Sequence, residues 1–317
     1  MERVPSPVPV AAALAWGLAG LLAACASSPP SPRSQDRAAS LPVVTTILPV
    51  TLFTRAVAGT CATVTPLIPP TMGPHDVQAR PADLAALRQA RVLVKNGLAM
   101  EGFLDKLVAS AGNANLLVID SSQGVATLQS PEGGHADGPG HSHGTVNPHI
   151  WLDPLRAAQQ VETIRDGLVK ADPGCAEGYK RNAAAFLRQL QALNSEIAAQ
   201  LKPYRGKTFV AFHDFAPYFA ERYGLKAVFL VDVPEVNPSP ADLRRVSAQV
   251  QRSQLKALLS EPQEGERSFN ALAKDLGVTI SVFDPMETSS APAARDPATY
   301  FTVMRRNVAD LRQALGD

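Results

Sequence analysis

All six histidines of this 317-residue chain fall into two groups. His75 lies in Pro74-His75-Asp76, His149 in Asn147-Pro148-His149-Ile150-Trp151-Leu152-Asp153-Pro154, and His213 directly after the β-rich run Thr208 to Phe212. The other three, His135, His141 and His143, share the Gly-rich stretch 132–147 with Asp137. Neutral imidazole offers a lone pair near pH 7 and suits borderline metals, so this distribution is that of a metal-handling protein. Asp284, directly after the run Thr279 to Phe283, is the carboxylate expected to complete the set. Three imidazoles and one carboxylate make a tetrahedral shell that zinc accepts at about 2.0–2.2 Å. Manganese prefers oxygen-rich shells, so a set with three imidazoles favours Zn(II), with manganese or another divalent metal as the alternative.

Three histidines around zinc also describe a hydrolytic centre with one open position. Asp284 would close that position, and the sequence contains no His-Glu-x-x-His segment, no Gly-x-Ser-x-Gly elbow and no phosphate loop. The chain is therefore read as a binding protein and not an enzyme. A formal charge of +1 without a Lys/Arg stripe argues against a nucleic-acid partner.

The elements that must carry these residues alternate in type, the signature of α/β architecture with parallel strands. Strands are expected at Val43 to Ile47, Thr63 to Ile68, Val92 to Lys95 and Leu116 to Ile119, with helices at Pro49 to Ala58, Pro81 to Ala90 and Gly102 to Ala111. A second series has strands Thr208 to Phe212, Ala227 to Val231, Ala257 to Ser260 and Thr279 to Phe283. Its helices are Ala216 to Tyr223, Ser239 to Ser253, Ser268 to Leu276 and Pro297 to Leu315. Between the series, Tyr179, Ala183, Phe186, Leu187, Leu190, Leu193, Ile197 and Leu201 recur at helical spacing. One helix over 176–202, about 39 Å long at 1.5 Å per residue, is the simplest reading, and two helices broken near Asn194 the other. The expected fold is two lobes, 41–175 and 203–317, each with a parallel-type sheet flanked by helices, linked by one long rigid backbone helix. Ligands gather at the carboxyl ends of strands in such sheets, so residues from both lobes can converge across one cleft.

Residues 1–24 read as a signal peptide, with an apolar run from Val8 to Ala24 that ends at Leu22-Ala23-Ala24-Cys25. Cys25 is the expected lipidation site, and 25–40 a flexible stalk on a membrane anchor. The remaining cysteines, Cys61 and Cys175, either form a disulfide or stay as two buried thiols.

Beyond its chemistry the chain resembles a family, the metal-binding components of bacterial ABC importers, zinc and manganese solute-binding lipoproteins with two lobes and a backbone helix. The resemblance runs from about Leu41 to the C-terminus. It is carried by Val44 to Ile47, Gly73-Pro74-His75-Asp76, Lys95-Asn96-Gly97-Leu98 with Glu101, and Asn147 to Pro154. Phe212-His213-Asp214-Phe215, Ser260-Glu261-Pro262-Gln263 and Phe283-Asp284-Pro285 continue it. It implies His75, His149, His213 and Asp284 as metal ligands, and a monomer that delivers Zn(II) to an importer permease from the extracytoplasmic side. It further implies that the loop with His135, His141 and His143 is an auxiliary metal-capture segment; a metal-binding adhesin is the alternative role. Asp76, Asp153, Glu235 and Glu261 are the acidic groups expected to orient the imidazoles.

Overall fold

The computed structural model describes residues 40–130, 145–234, 236–262 and 267–316, without the side chains of Asp76, Arg267 and Ser268. Cys25, the signal segment, Glu235 and the three histidines of the Gly-rich stretch lie outside the described residues.

The first lobe holds β1 (Leu41–Thr45), β2 (Ala62–Pro66), β3 (Val92–Lys95) and β4 (Leu117–Asp120), all parallel in the order β2-β1-β3-β4. The second repeats this with β5 (Thr208–His213), β6 (Lys226–Val231), β7 (Ala257–Ser260) and β8 (Thr279–Val282) in the order β6-β5-β7-β8. Parallel strands need crossovers, and helices supply most of them. These are α1 (Leu48–Ala58), α2 (Pro81–Gln89) and α3 (Leu104–Ala111) in the first lobe. In the second they are α6 (Pro217–Tyr223), α7 (Pro240–Ser253) and α8 (Arg267–Leu276). Each expected strand and helix is present, with ends shifted by at most two residues. Pro154–Ala171, a segment with no element assigned from sequence, forms the 18-residue helix α4. Asp153 caps it, accepting the Leu155 N–H at 2.9 Å, and Pro154 fills the first helical position, where no N–H is needed.

The two lobes share one core. α5 (Ala176–Leu201) is a single unbroken helix of 26 residues, followed at the end of the chain by α9 (Thr299–Ala314). Its stripe of Tyr179, Ala183, Phe186, Leu190, Leu193, Ile197 and Leu201 is buried against α1, α4 and α9. Phe53 of α1, Phe186 of α5, and Tyr300 and Phe301 of α9 form a chain of ring contacts, with centroids 4.9–6.0 Å apart. Truncating Phe186 to Ala would cost about 3–5 kcal/mol by the usual cavity penalty. A helix gripped along its whole buried stripe works as a strut between lobes. Cys61, just before β2, and Cys175, just before α5, are joined as a disulfide, which ties the strut to the first sheet.

Strand alternation decides which residues face this shared core. In β5, Phe209 and Ala211 face it while Val210 and Phe212 face the outer helices, so His213 has the inward parity. In β7, Ala257 and Leu259 face inward, and Glu261 follows at the same parity. Ala211 pairs with Leu259, so two residues on His213 stands beside Glu261 at the inner end of the sheet. In both sheets the order reverses between neighbouring strands, β1 and β3 in one, β5 and β7 in the other, where α/β folds bind their ligands.

Candidate metal centre

Four side chains that are distant along the chain meet at this place. His75 sits in a single 3-10 turn, Pro74–Asp76, within the connection from β2 to α2. His149 precedes a second such turn, Ile150–Leu152, that leads into α4. His213 ends β5, and Glu287 lies in the loop after β8. One Glu287 oxygen lies 2.9 Å from His75 Nε2, 3.1 Å from His149 Nε2 and 3.3 Å from His213 Nε2. The His149 and His213 Nε2 atoms are 3.4 Å apart, and the four ligand atoms all lie within 4.8 Å of one another. Two nitrogens bound to one tetrahedral zinc at about 2.05 Å would be separated by about 3.3 Å, so these spacings are close to the edges of a zinc tetrahedron.

The first three are the histidines expected from sequence; the carboxylate that the structure brings to them is Glu287 in place of the expected Asp284. Asp284 turns back onto its own loop, accepting the Met286 N–H at 2.8 Å, and pairs with Arg306 at 3.1 Å. Glu287, three residues on, has the reach that Asp284 lacks. Nothing in the residue types marks this shift, because it depends on how the chain turns after β8.

The His213 and His149 rings are each oriented by the other nitrogen. His213 Nδ1 lies 2.6 Å from Glu261, and the His213 backbone N–H donates to the same oxygen at 3.1 Å. His149 Nδ1 lies 3.0 Å from Asn147 Oδ1, which also accepts the His149 backbone N–H at 3.0 Å. Facing an acceptor, each Nδ1 carries a hydrogen, so Nε2 is the nitrogen turned to the cluster, with a free lone pair on His149 and on His213 once its second proton is released. Of the acidic neighbours expected to orient imidazoles, Glu261 does so. Asp153 instead caps α4 and receives Arg156 and a bidentate Arg222 at 2.7–2.8 Å, which braces α4 against α6. Asn147, a residue of the quoted motif with no role expected for it, holds the second ring. Its amide donates to the Asp214 carbonyl and carboxylate at 2.7 and 3.0 Å, so one carboxamide spans from the first lobe's histidine loop to the second's.

Electrostatics separate the rings. Burial pushes His149 down to about 3 in the metal-free protein, against the pull of Glu287, so this imidazole stays neutral. At His213 burial acts the same way, yet the charges of Glu261 and Glu287 outweigh it and hold the imidazolium well above the usual histidine range. Burial likewise opposes the charge on Glu287, but His75 and His213 prevail and keep its carboxyl well below the ordinary range. An anionic acceptor ringed by nitrogens, in a water-poor pocket, is a ready cation site.

The ends of the Gly-rich stretch are described although its histidines are not. Gln129 and Val146 form an antiparallel bridge, and Tyr218 donates to the Asn147 carbonyl at 2.7 Å while accepting the Leu128 N–H at 3.0 Å. The stretch thus leaves and re-enters the fold beside the His149 loop.

Comparison with known proteins follows the same lines. The family model described as ZnuA, zinc-uptake complex component A, periplasmic, matches residues 43–314. The zinc-binding lipoprotein AdcA of Streptococcus pneumoniae serotype 4 is 32% identical over 277 residues, covering 86% of this chain and 55% of the relative. This chain thus spans about half the length of AdcA. The high-affinity zinc uptake system protein ZnuA of Bacillus subtilis strain 168 is 28% identical over 300 residues, covering 93% of this chain and 94% of the relative. Among solved structures, the Zn(II)-bound ZnuA-like domain of Streptococcus pneumoniae AdcA superposes with a TM-score of 0.74 at 30% identity, covering 88% of this chain and all of that one.

Proposed function

The chain belongs to the family of zinc-uptake complex component A proteins, and on that premise we propose that it captures Zn(II) outside the cytoplasm and hands it to the membrane permease of an ABC importer. The observation that carries this reading is the convergence of His75, His149, His213 and Glu287 from both lobes with near-tetrahedral spacing. Three nitrogens and one carboxylate favour zinc over manganese. The family is one of solute-binding components, and the four side chains act as a cage for cargo, not as an enzyme's reacting groups.

Relatives named as lipoproteins support Cys25 as the lipid-bearing residue, with 25–40 as the stalk and 1–24 as a removed signal. The lobes 41–175 and 203–317 with the linking segment 176–202 complete the organisation we propose, as a monomer. His135, His141 and His143 are assigned the capture of zinc for delivery to the buried cluster.

Purified protein stripped of metal and titrated with zinc and manganese in competition tests the reading. One zinc per chain that manganese at equal concentration does not displace is expected. Equal retention of the two metals, or no zinc uptake, would remove it. For the anchor, Cys25→Ser should shift the protein from the membrane fraction to the soluble extracytoplasmic fraction.

A further inference from the structure

Glu287 reaches the imidazoles only because the chain turns sharply just before it. Met286 has φ 60°, a left-handed conformation that a residue with a long side chain rarely adopts. Its side chain is buried, so no exposed loop geometry explains the choice. Around it the main-chain groups of Asp284, the Pro285 carbonyl and the Met286 N–H are all hydrogen-bonded. Asp284 Oδ1 accepts the Met286 N–H at 2.8 Å. Asn307, fully buried on α9, grips Asp284 at both ends of its peptide unit: Oδ1 accepts the Asp284 N–H at 2.9 Å, and Nδ2 donates to the Asp284 carbonyl at 2.8 Å. From the first lobe, the Trp151 indole N–H donates to the Pro285 carbonyl at 2.8 Å.

We infer that Asp284 and Asn307 are positioning residues for the cargo site, locking the left-handed turn at Met286 that aims Glu287 at the metal. Asp284 then governs metal affinity through Glu287 and never by ligation. Its charge is not what the role requires, because its second oxygen meets an Arg306 whose side chain is 56% exposed and well solvated. What the turn requires is an acceptor oxygen two bonds beyond Cβ. The inference rests on the zinc-binding reading above and goes beyond it by assigning two residues that touch no ligand atom in the cluster.

The test is a zinc affinity series on metal-stripped full-length protein, by competition with a chelator dye, with the thermal melt of each metal-free variant recorded alongside. Asp284→Ala should weaken zinc by about 10- to 100-fold, the range seen when partners of metal ligands are removed. Asp284→Asn keeps an oxygen for the Met286 N–H and should stay within about fivefold of the unsubstituted protein. In a Glu287→Gln background, Asp284→Ala should add less than about twofold, since the residue it positions is already disabled. Asn307→Ser reaches the same turn through the Asp284 main chain while leaving its carboxylate in place, and should likewise weaken zinc only when Glu287 is present. It serves as the second route if Asp284→Ala does not fold. Equal losses in Asp284→Asn and Asp284→Ala, or a full loss in the Glu287→Gln background, would make Asp284 a ligand or a charge and overturn the inference. A lowered melt with unchanged zinc affinity in both Asp284→Ala and Asn307→Ser would overturn it too, leaving the turn merely structural. Should the unsubstituted protein take up no zinc, it is the functional reading that fails first.

Discussion

The two sheets have the same strand order, and near each reversal point lies a buried glutamate, Glu101 in the first lobe and Glu261 in the second. Their uses differ. Glu101 is consumed by its own lobe, accepting from the Thr46 hydroxyl at 2.5 Å, the Asn96 N–H at 2.7 Å and the Gly97 N–H at 3.1 Å. It closes a tight turn at Gly97, where φ is 87° and any Cβ would collide with the Asp120 carboxylate. Glu261 instead faces His213, one of the three histidines of the cluster. The first lobe therefore presents its imidazoles from long loops and backs His149 with a neutral carboxamide, whereas the second presents His213 from a strand end and backs it with a carboxylate. A shared backbone thus permits two electrostatic designs: a neutral nitrogen ready to bind, and a more basic one that must first release a proton.

Breaking the pair is the sharpest way to examine that contrast. Glu261→Ala should weaken zinc by about 10- to 100-fold. Glu101→Ala should instead act mainly on stability, because each of its stranded donors costs about 1–3 kcal/mol when buried and unpaired. Chelator competition and thermal melts on both variants read the two axes. If Glu101→Ala costs as much zinc affinity as Glu261→Ala, the two glutamates are not functionally distinct.

A pH series sharpens the comparison further. With its pKa held above the usual range by Glu261 and Glu287, His213 keeps a proton that zinc must displace, so affinity should fall as pH falls through that raised value. In Glu261→Gln one of the two raising charges is gone and burial counts for more, so the proton is held less tightly. The decline should then begin at lower pH than in the unsubstituted protein, although the affinity at neutral pH is weaker. Zinc affinities measured from pH 5 to 8 decide this, and superimposable profiles would remove His213 as the group in competition.

The smallest effect on zinc is expected from the disulfide. Cys61 precedes β2 and so lies at the amino ends of the strands, opposite the cluster, which gathers at their carboxyl ends. Cys61→Ser with Cys175→Ser should lower stability by as much as about 4–5 kcal/mol in the chain-entropy view while leaving zinc affinity nearly unchanged. A large loss of affinity in the reduced pair would mean that the strut α5 transmits strain to the site.

Much of this was open to inspection in the chain itself. The strands Thr208–His213 and Ala257–Ser260 were legible as apolar runs, but both of their faces are buried, so which face turns inward was not. The stripe of α5 was readable, since seven of its eight apolar positions are buried as the helical period requires. α4 was harder, because Gly167 interrupts its pattern; in the fold that glycine lets the helix lie against Ile119 of β4, where a Cβ would clash. The fourth ligand was not readable. Asp284 follows β8 directly, as His213 ends β5, and only the left-handed turn at Met286 passes the role to Glu287.

Residue order by itself determined the alternation of strands and helices, the buried stripe of the long helix and the three imidazoles suited to a metal, because periodicity and side-chain chemistry are local properties. Tertiary structure alone decided which carboxylate joins them, which partners hold each ring and which histidine is protonated. Those outcomes depend on distances between segments up to 212 residues apart and on the burial they create together. No local pattern encodes a dielectric environment or the direction of a turn whose conformation is imposed by Asn307 and Trp151 from elsewhere in the fold.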